Sequence, residues 1–189
     1  MEPASVGHVI RRARPSDAQE IVRLMRTVYR EGRYFVGDGP PLAASLARRI
    51  GGDDPAYALY LVAECEPGGG RGDGAREVGA REVGGREVGA WLELHRMQPR
   101  RMQHVAVLTV AVAPAWRRRG LGRGLLRRGY GWAADVGVRK VSLNVRAGNT
   151  AAIGLYLSEG FVEEGRERAQ VRTDDGGFED NVIMGRRVP

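Results

Sequence analysis

The stretch that most constrains this chain runs from residue 110 to residue 126 and reads VAVAPAWRRRGLGRGLL. It begins as an alternating, β-branched run typical of a strand, and Pro114 ends that run because proline lacks the N–H that a ladder needs. Leu121, Leu125 and Leu126 then recur at helical spacing. A strand therefore leads through a glycine-rich, cationic turn into a helix. Such a turn presents unpaired N–H groups and the positive end of a helix dipole, which favour a phosphorylated ligand.

Two well-known phosphate-binding loops do not fit this turn. A P-loop needs Gly-Lys-Ser or Gly-Lys-Thr at its end, whereas Arg123 and Gly124 follow Gly122 here. The dinucleotide-binding fingerprint spaces its glycines as G-x-G-x-x-G, while the glycines at 120, 122 and 124 simply alternate. The turn also comes late, after several predicted strands. A different kind of phosphate cradle is therefore indicated.

The composition of the chain narrows the class of protein. Its 189 residues suit one domain, and 42% hydrophobic residues are enough for a substantial core. No segment has the apolar length of a signal peptide or approaches the ~20 residues that span a bilayer, so we expect a cytoplasmic protein without membrane contact. Cys65 is the only cysteine, which excludes an internal disulfide and a cysteine metal cluster. We expect no metal.

The net charge of +7 raises the question of nucleic acid as a partner. Lys140 is the only lysine among the 30 basic residues, and the arginines are spread along the chain instead of forming blocks. This pattern is typical of codon bias in a GC-rich genome, so we expect no nucleic-acid partner. A positive field still favours an acidic ligand such as a phosphorylated coenzyme.

Hydrophobic periodicity predicts a chain in which strands and helices are interspersed. Predicted strands cover residues 8–13, 57–64, 88–97, 104–113, 140–146, 161–171 and 178–187, and predicted helices cover 17–30, 42–50, 121–136 and 150–159. Their order predicts a mixed sheet with helices packed on its faces. We expect one domain over residues 1–189.

A five-residue repeat interrupts this pattern. Three copies of R-E-V-G-A or R-E-V-G-G begin at Arg76, Arg81 and Arg86, and this period is too short for a solenoid unit. Only the third copy leads into a predicted strand. We therefore interpret residues 67–85 as a repeat-expanded hairpin loop, since the entropy cost of closing a loop grows slowly with its length.

Two motifs, in order, carry a family resemblance. Arg117-x-x-Gly120-x-Gly122 fits the Q/R-x-x-G-x-G/A signature of the GNAT N-acetyltransferase superfamily. Residues 149–161 read N-x-x-A-x-x-L-Y-x-x-x-G-F, which resembles that family's other signature, and the opening I-R-x-A-x-P-x-D-A matches its usual first strand and helix. The resemblance implies an α/β fold. In that fold a mixed sheet of about seven strands, mostly antiparallel with a central parallel splayed pair, is flanked by four helices.

The same resemblance implies acetyl-CoA as the acetyl donor. Backbone N–H groups of residues 119–124 would hold its pyrophosphate, because glycines let the backbone approach the phosphates without obstruction by Cβ. The pantetheine arm would lie where the strand at 110–112 splays from the strand at 143–145. The expected coenzyme-binding residues are Val110, Ala111, Val112, Arg117, Arg118, Arg119, Gly120, Leu121, Gly122, Arg123, Gly124, Asn144, Asn149 and Tyr156.

The resemblance also implies catalytic roles. Tyr156 would be the general acid at the departing CoA sulfur, although proton transfer from a tyrosine of pKa ~10 to a thiolate of pKa ~8.5 is uphill by about 2 kcal/mol, so hydrogen bonding is its main expected role. Related sequences often carry a glutamate base in the fourth strand; here that strand has none, so Glu93 and His104 are the candidates. Backbone amides near residues 111–112 would polarise the carbonyl. On the residues alone, Tyr156 equally suits the core, and Asn149 suits a helix N-cap.

The acceptor side is expected in the loop at residues 31–41 and in the final hairpin. The candidate contacts are Glu31, Tyr34, Phe35, Glu179 and Asp180, whose acids suit a cationic substrate. The family's acceptors range from amino acids and polyamines to antibiotics and protein N-termini, and the sequence does not choose among them. We predict an acetyl-CoA-dependent N-acetyltransferase in which a primary amine attacks the thioester directly in a ternary complex. A homodimer is compatible with this prediction.

Two other classes stay open at this point. A non-catalytic acyl-CoA-binding module would keep the glycine turn and show no turnover with any amine. A basic nucleic-acid-binding protein would instead use the arginines, and its binding would depend strongly on salt.

Overall fold

The computed structural model describes residues 7–66 and 86–189. These residues form the predicted strands and helices, with differences confined to the ends of the elements. The strands are β1 (His8–Arg12), β2 (Ala58–Cys65), β3 (Glu87–Arg96), β4 (Val105–Val112), β5 (Lys140–Arg146), β6 (Val162–Arg172) and β7 (Phe178–Arg187). The helices are α1 (Ala18–Tyr29), α2 (Ala43–Gly52), α3 (Leu121–Asp135) and α4 (Thr150–Ser158).

One sheet connects all the strands of the described residues, in the order β1-β2-β3-β4-β5-β7-β6. Only β4 and β5 pair in parallel, and each other neighbouring pair is antiparallel. Helix α3 makes the crossover that parallel neighbours require. The predicted mixed sheet, with a central parallel pair and four flanking helices, is therefore confirmed.

Helices bury both faces of this sheet. On one face, α1 places Ile21 and Val28 against a cluster that includes Trp91 of β3. On the other face, α3 places Leu125 and Leu126 against a second cluster centred on β2, β3 and β5. Each such side chain contributes roughly 1.5–3 kcal/mol relative to leaving it exposed. The amphipathic spacing that predicted these helices is therefore the spacing that packs them.

The parallel pair separates soon after it begins. The paired residues of β4 and β5 are Val105 with Lys140, Ala106 with Val141 and Val107 with Ser142. Beyond them, β4 continues to Val112 in register with β3, and β5 continues to Arg146 in register with β7. An open wedge therefore lies between two strands that are each held on their other side, which is the predicted splay.

The end of β2 and the start of β3 face each other, with Cys65 opposite Glu87. The third repeat copy enters β3 as predicted, whereas the predicted loop at 67–85 lies outside the described residues. Cys65 is fully buried and acts as a small core residue. Within residues 7–66 and 86–189, no helix combines the length and apolar character needed to cross a membrane.

Candidate active site

The wedge between β4 and β5 opens into a cavity of about 990 Å³. Its walls come from the two diverging strands, the turn before α3, helix α4 and the segment after α1. Representative lining residues are Val110, Asn144, Gly120, Asn149 and Phe35. The fold thus brings together, around one opening, the two motifs that stand apart in the sequence.

Strand β4 directs the N–H and C=O groups of alternate residues into this cavity. Residues of an antiparallel ladder alternate between bonding their partner strand and facing away from it. Ala113 N–H donates to Gly89 O at 2.9 Å, so Val110 and Val112 have their peptide groups directed toward β5. Ala111 differs from the expectation: by the same alternation its peptide group faces β3, and its methyl group is buried in the cluster under α1. A backbone N–H that points into the wedge from this part of β4 must therefore belong to Val110 or Val112.

Strand β5 mirrors this arrangement. Ala147 N–H donates to Asp180 O at 3.0 Å, and the alternation along β5 then directs the peptide groups of Asn144 and Arg146 toward β4. Because β4 and β5 do not pair at this depth, both walls of the wedge offer N–H donors and carbonyl acceptors to a ligand.

The turn before α3 has the conformation that a backbone cradle needs. Gly120 is the N-cap of α3 with φ of 80°, and Arg118 has φ of 62°, a conformation uncommon for a residue with a Cβ. A Cβ on Gly122 would lie 3.0 Å from Cδ2 of Leu155, so glycine keeps the helix start close to α4. The first N–H groups of a helix have no partner within it. This turn could hold phosphate through those groups.

Three of the turn's arginines have partners within the protein, and Arg117 is one of them, since it pairs with Glu31. The Arg119 guanidinium lies 4.9 Å from the ring centroid of Trp116, and Arg123 Nε lies 2.8 Å from Glu159 Oε1. Arg118 is exposed on the cavity wall. In this structure the turn therefore offers mainly backbone groups to a phosphate, together with the positive charge of Arg118.

Gly124 does not belong to the cradle, contrary to the expectation. Its N–H donates to Gly120 O at 2.9 Å, which is the first bond of the helix. A Cβ at this position would lie 2.7 Å from Cδ1 of Ile10. Gly124 is small so that α3 can pack closely on β1.

Helix α4 contributes two motif residues to the cavity. Asn149 lines it and also caps the helix, since its Oδ1 accepts from Ala152 N–H at 3.2 Å. Tyr156 also lines the cavity, is 7% exposed, and has its ring centroid 5.5 Å from that of Phe161. Burial, with a smaller effect of Tyr130, raises the pKa of Tyr156 above its ordinary value. Its hydroxyl therefore stays protonated over the physiological range.

Glu93 lies in a smaller neighbouring cavity of about 390 Å³. Phe35 and Thr109 line both cavities, and Thr109 stands directly opposite Glu93 in the ladder between β3 and β4. Arg49 Nη2 donates to Glu93 Oε2 at 2.6 Å. The structure thus places one base candidate beside the wedge, although not in its wall.

His104 lines neither cavity. It is exposed and immediately precedes β4, so the 8 residues of that strand, about 26 Å at ~3.3 Å per residue, separate it from the glycine turn. The structure does not bring His104 to the site. Among the residues that the structure describes, no cluster of histidine, cysteine and acidic side chains has an arrangement suited to a metal ion.

The segment after α1 contributes its aromatic side chains and uses its acid internally. Tyr34 and Phe35 line the main cavity. Arg117 donates to both carboxylate oxygens of Glu31, at 2.8 and 2.5 Å, and its guanidinium lies 4.9 Å from the Tyr34 ring centroid. The first residue of the family signature therefore binds a carboxylate of the expected acceptor side.

The acids of the final hairpin are also bonded within the protein. Arg146 Nε donates to Glu179 Oε2 at 2.7 Å, and Asp180 Oδ1 accepts from Ala169 N–H at 2.9 Å. Sequence reasoning missed Arg146, which is 6% exposed and lines the cavity. The sequence gives no signal for it, because Arg146 stands in phase with Lys140, Ser142 and Asn144, the polar residues of β5.

Known proteins resemble this chain in sequence. A sequence model of the acetyltransferase (GNAT) family matches residues 71–161. The N-alpha-acetyltransferase RimI of Mycobacterium tuberculosis is 33% identical over 171 residues, which cover 90% of this chain and 86% of that protein. The ribosomal protein bS18-alanine N-acetyltransferase of Escherichia coli K12 is 41% identical over 83 residues, which cover 44% of this chain and only 55% of that enzyme.

A solved structure shares the fold. The yncA protein of Salmonella typhimurium, solved with its cofactor acetyl-CoA, superposes with a TM-score of 0.78 at 18% identity, over 97% of this chain and 95% of that chain. The splayed sheet, the two signatures and a relative that matches along most of its length lead to one conclusion. This chain belongs to the GNAT family of acetyltransferases.

Proposed function

We propose that this chain transfers the acetyl group of acetyl-CoA to the α-amine of a polypeptide N-terminus. The observation that carries the proposal is the wedge between β4 and β5, which is continuous with the glycine turn at the start of α3. A ligand with a phosphorylated end and a thin, amide-bearing arm matches that shape. The turn suits the phosphates, and the strand edges suit the arm.

The described residues fit such a coenzyme. The start of α3 offers N–H groups, and charge-assisted hydrogen bonds contribute roughly 1.5–3 kcal/mol each. Val110 and Asn144 direct their peptide groups into the wedge, where they could bond the amides of a pantetheine arm. Acetyl-CoA supplies an acyl group activated as a thioester. The acetyl-CoA held by yncA, which shares this fold, supports the assignment.

Tyr156 would donate a hydrogen bond to the leaving sulfur. Its raised pKa makes loss of its own proton harder. Full transfer to a thiolate of pKa ~8.5 would then cost more than the ~2 kcal/mol that ordinary pKa values imply. A neutral donor that stabilises the thiolate charge therefore suits this buried position better than a general acid.

Whether the reaction needs a strong base depends on how much free energy it takes to deprotonate the acceptor amine. A lysine-type amine of pKa ~10.4 costs roughly 4–5 kcal/mol to deprotonate at pH 7, whereas an α-amine of pKa ~8 costs about 1 kcal/mol. Glu93 is the base candidate near the wedge, and it is already paired with Arg49. An α-amine needs only a weak base, and a paired glutamate is sufficient for that. This favours an α-amine as the acceptor.

The relatives support the same class. The E. coli enzyme is named for the alanine of ribosomal protein bS18, and the M. tuberculosis protein is named an N-alpha-acetyltransferase. Phe35 and Tyr34 are on the cavity wall, and Phe35 lines both cavities together with Thr109. A small N-terminal residue such as alanine fits beside these rings. We therefore propose an alanine-first polypeptide as the acceptor.

Release of free CoA tests this function. We expect turnover with an alanine-first peptide, and none with the same peptide carrying a blocked N-terminus and an internal lysine, or with spermidine. Acetyl-CoA at 100 times its Kd should also stabilise the fold by ~2.7 kcal/mol. Stabilisation without turnover of any amine would instead indicate an acyl-CoA-binding module. Salt-dependent DNA binding without acetyl-CoA binding would contradict the proposal entirely.

A further inference from the structure

The side chain of Arg117 bonds groups of the protein itself, unlike an arginine that binds the pyrophosphate of a coenzyme. Its Nε donates to Val112 O at 3.2 Å, at the end of β4, and its two terminal nitrogens bond Glu31 as a fork. Nη1 also lies 3.4 Å from Tyr34 Oη. Planar, bidentate pairs of this kind fix geometry as well as charge. The hydrogen bond with Glu31 raises the pKa of Arg117 despite partial burial.

Arg146 makes the matching contact from the other strand. It is the last residue of β5, and its Nη1 donates to Gly32 O at 2.6 Å. Its other nitrogens bond Glu179, which also accepts from Gly148 N–H just before α4. The Arg146 side chain is 7% exposed, so this pairing is little screened by solvent.

The two arginines therefore hold adjacent residues from opposite sides of the wedge. Gly32 has φ of 64°, and its N–H donates to Tyr29 O at 2.9 Å as the chain leaves α1. A Cβ on Gly32 would lie 2.5 Å from Asp174 Oδ2, so the turn at 31–32 also touches the final hairpin. Strand β4, strand β5 and the final hairpin thus converge on one turn.

We propose that Arg117 and Arg146 are positioning residues that clamp the turn at 31–32 across the open ends of β4 and β5. The clamp holds residues 31–41, called here the acceptor loop, against the wedge, so that Tyr34 and Phe35 stand beside the reacting end. Arg117 then acts on the acceptor side and not as a pyrophosphate ligand. The proposal depends on the proposed function only in assigning these residues to the acceptor.

Limited trypsin cleavage after Arg33, an exposed residue of the acceptor loop, tests the clamp without any need for turnover. The variants are Arg117→Met, Glu31→Gln and their combination. Arg128→Met, which removes an exposed arginine on α3, is the matched control. We expect each single variant to raise the cleavage rate about tenfold through local opening, the double variant to add little, and the control to match the wild type. Unchanged cleavage in both single variants would overturn the proposal.

Ligand binding separates the clamp from the phosphate role. We expect Arg117→Met to change the Kd of CoA and of pantetheine less than about threefold, because neither ligand depends on the clamp. A loss of tenfold or more for CoA with no loss for pantetheine would overturn the proposal, since it identifies a pyrophosphate contact. Equal melting temperatures of the variants would show that the fold is intact.

Turnover adds a third readout. With an alanine-first peptide, Arg117→Met and Glu31→Gln should each raise KM about tenfold and leave kcat within about threefold, as for lost positioning of the acceptor. A fall in kcat with an unchanged KM would overturn the assignment to the acceptor side. If the wild type turns over no peptide, the proposed function fails, and the cleavage and CoA results still decide whether the clamp exists.

Discussion

The two sides of the cavity are built in different ways. The proposed coenzyme side is one continuous stretch, from β4 through the turn to α3, and it offers mainly backbone groups and glycines. The proposed acceptor side is held by arginine side chains that bond distant residues. Arg117 and Glu31 are 86 positions apart, and Arg146 and Gly32 are 114 apart. A local backbone motif can be recognised in sequence, whereas a long-range ion pair becomes visible only in the fold.

The largest expected effect is on kcat, and it comes from Tyr156, which is proposed to lie where the coenzyme side and the acceptor side meet. Tyr156→Phe removes the hydroxyl proposed to meet the leaving sulfur, so kcat should fall roughly 100-fold while the Kd of acetyl-CoA stays within about twofold. Steady-state CoA release and calorimetry measure the two quantities. Tyr130→Phe is the matched control, because Tyr130 neighbours the same aromatic cluster outside the cavity lining. Equal losses in both variants would assign the effect to packing.

The motifs on the coenzyme side could be predicted because each depends on residues close in sequence. Asn149 caps α4 as its type and spacing indicate, and the spaced glycines mark the turn in which Gly120 is the N-cap of α3. Ala111 was misassigned because neighbouring residues of a strand face opposite sides, and a one-residue error reverses the direction of a peptide group. Gly124 differs from the prediction because its small size serves packing on Ile10.

The acceptor side could not be predicted in the same way. His104 is a candidate by residue type and by its place at the start of the fourth strand, and the direction of β4 places it at the end of that strand away from the glycine turn. Glu31 and Glu179 were expected to meet a cationic substrate, but each is paired with an arginine of the protein. The sequence shows that these charged residues are present, but it does not identify which of them form ion pairs. The fold decides, because the strand order brings β4 and β5 together.

A tenfold effect tests whether the acceptor side contains a base. Glu93→Gln removes the base candidate in the neighbouring cavity, so kcat/KM for an alanine-first peptide should fall about tenfold at pH 7. The loss should shrink above pH 8, because an α-amine of pKa ~8 then loses its proton without help. Glu164→Gln on β6, paired with Lys140, is the control. A pH–rate profile that matches the wild type would remove Glu93 from the mechanism.

The proposed coenzyme side depends on the backbone conformation of Gly120. A substitution there should therefore weaken CoA binding by about the same factor of ten. Gly120→Val places a β-branched residue at φ of 80°, where a Cβ costs roughly 1–2 kcal/mol. That strain should distort the cradle, so the Kd of CoA should rise about tenfold, as measured by calorimetry. Gly131→Ala, at an exposed position in α3 where a Cβ meets no neighbour, should leave the Kd unchanged and raise stability by about 0.5–1 kcal/mol. Unchanged CoA binding in the valine variant would show that the turn is not the cradle.

The smallest effect concerns how the acceptor side is anchored. Arg11 pairs with Asp17 at 2.7 Å and also with Glu64, which ties the start of α1 to β1 and β2. Burial opposes ionisation of Asp17, yet hydrogen bonds from Arg11 and from Arg14 N–H lower its pKa below the ordinary value. A lowered pKa gives stability that is fully present above the unfolded-state pKa of ~3.9 and is lost as pH falls through the folded-state value.

Urea unfolding at pH 7 and at pH 3 measures this anchor. Asp17→Asn should cost about 1 kcal/mol at pH 7, and the stability lost between the two pH values should be smaller in the variant than in the wild type. The Kd of CoA at pH 7 should not change, because the coenzyme side does not depend on this charge. An equal acid-induced loss in both proteins would show that Asp17 does not anchor α1 by charge. Weakened CoA binding would show that the two sides of the cavity are coupled through α1.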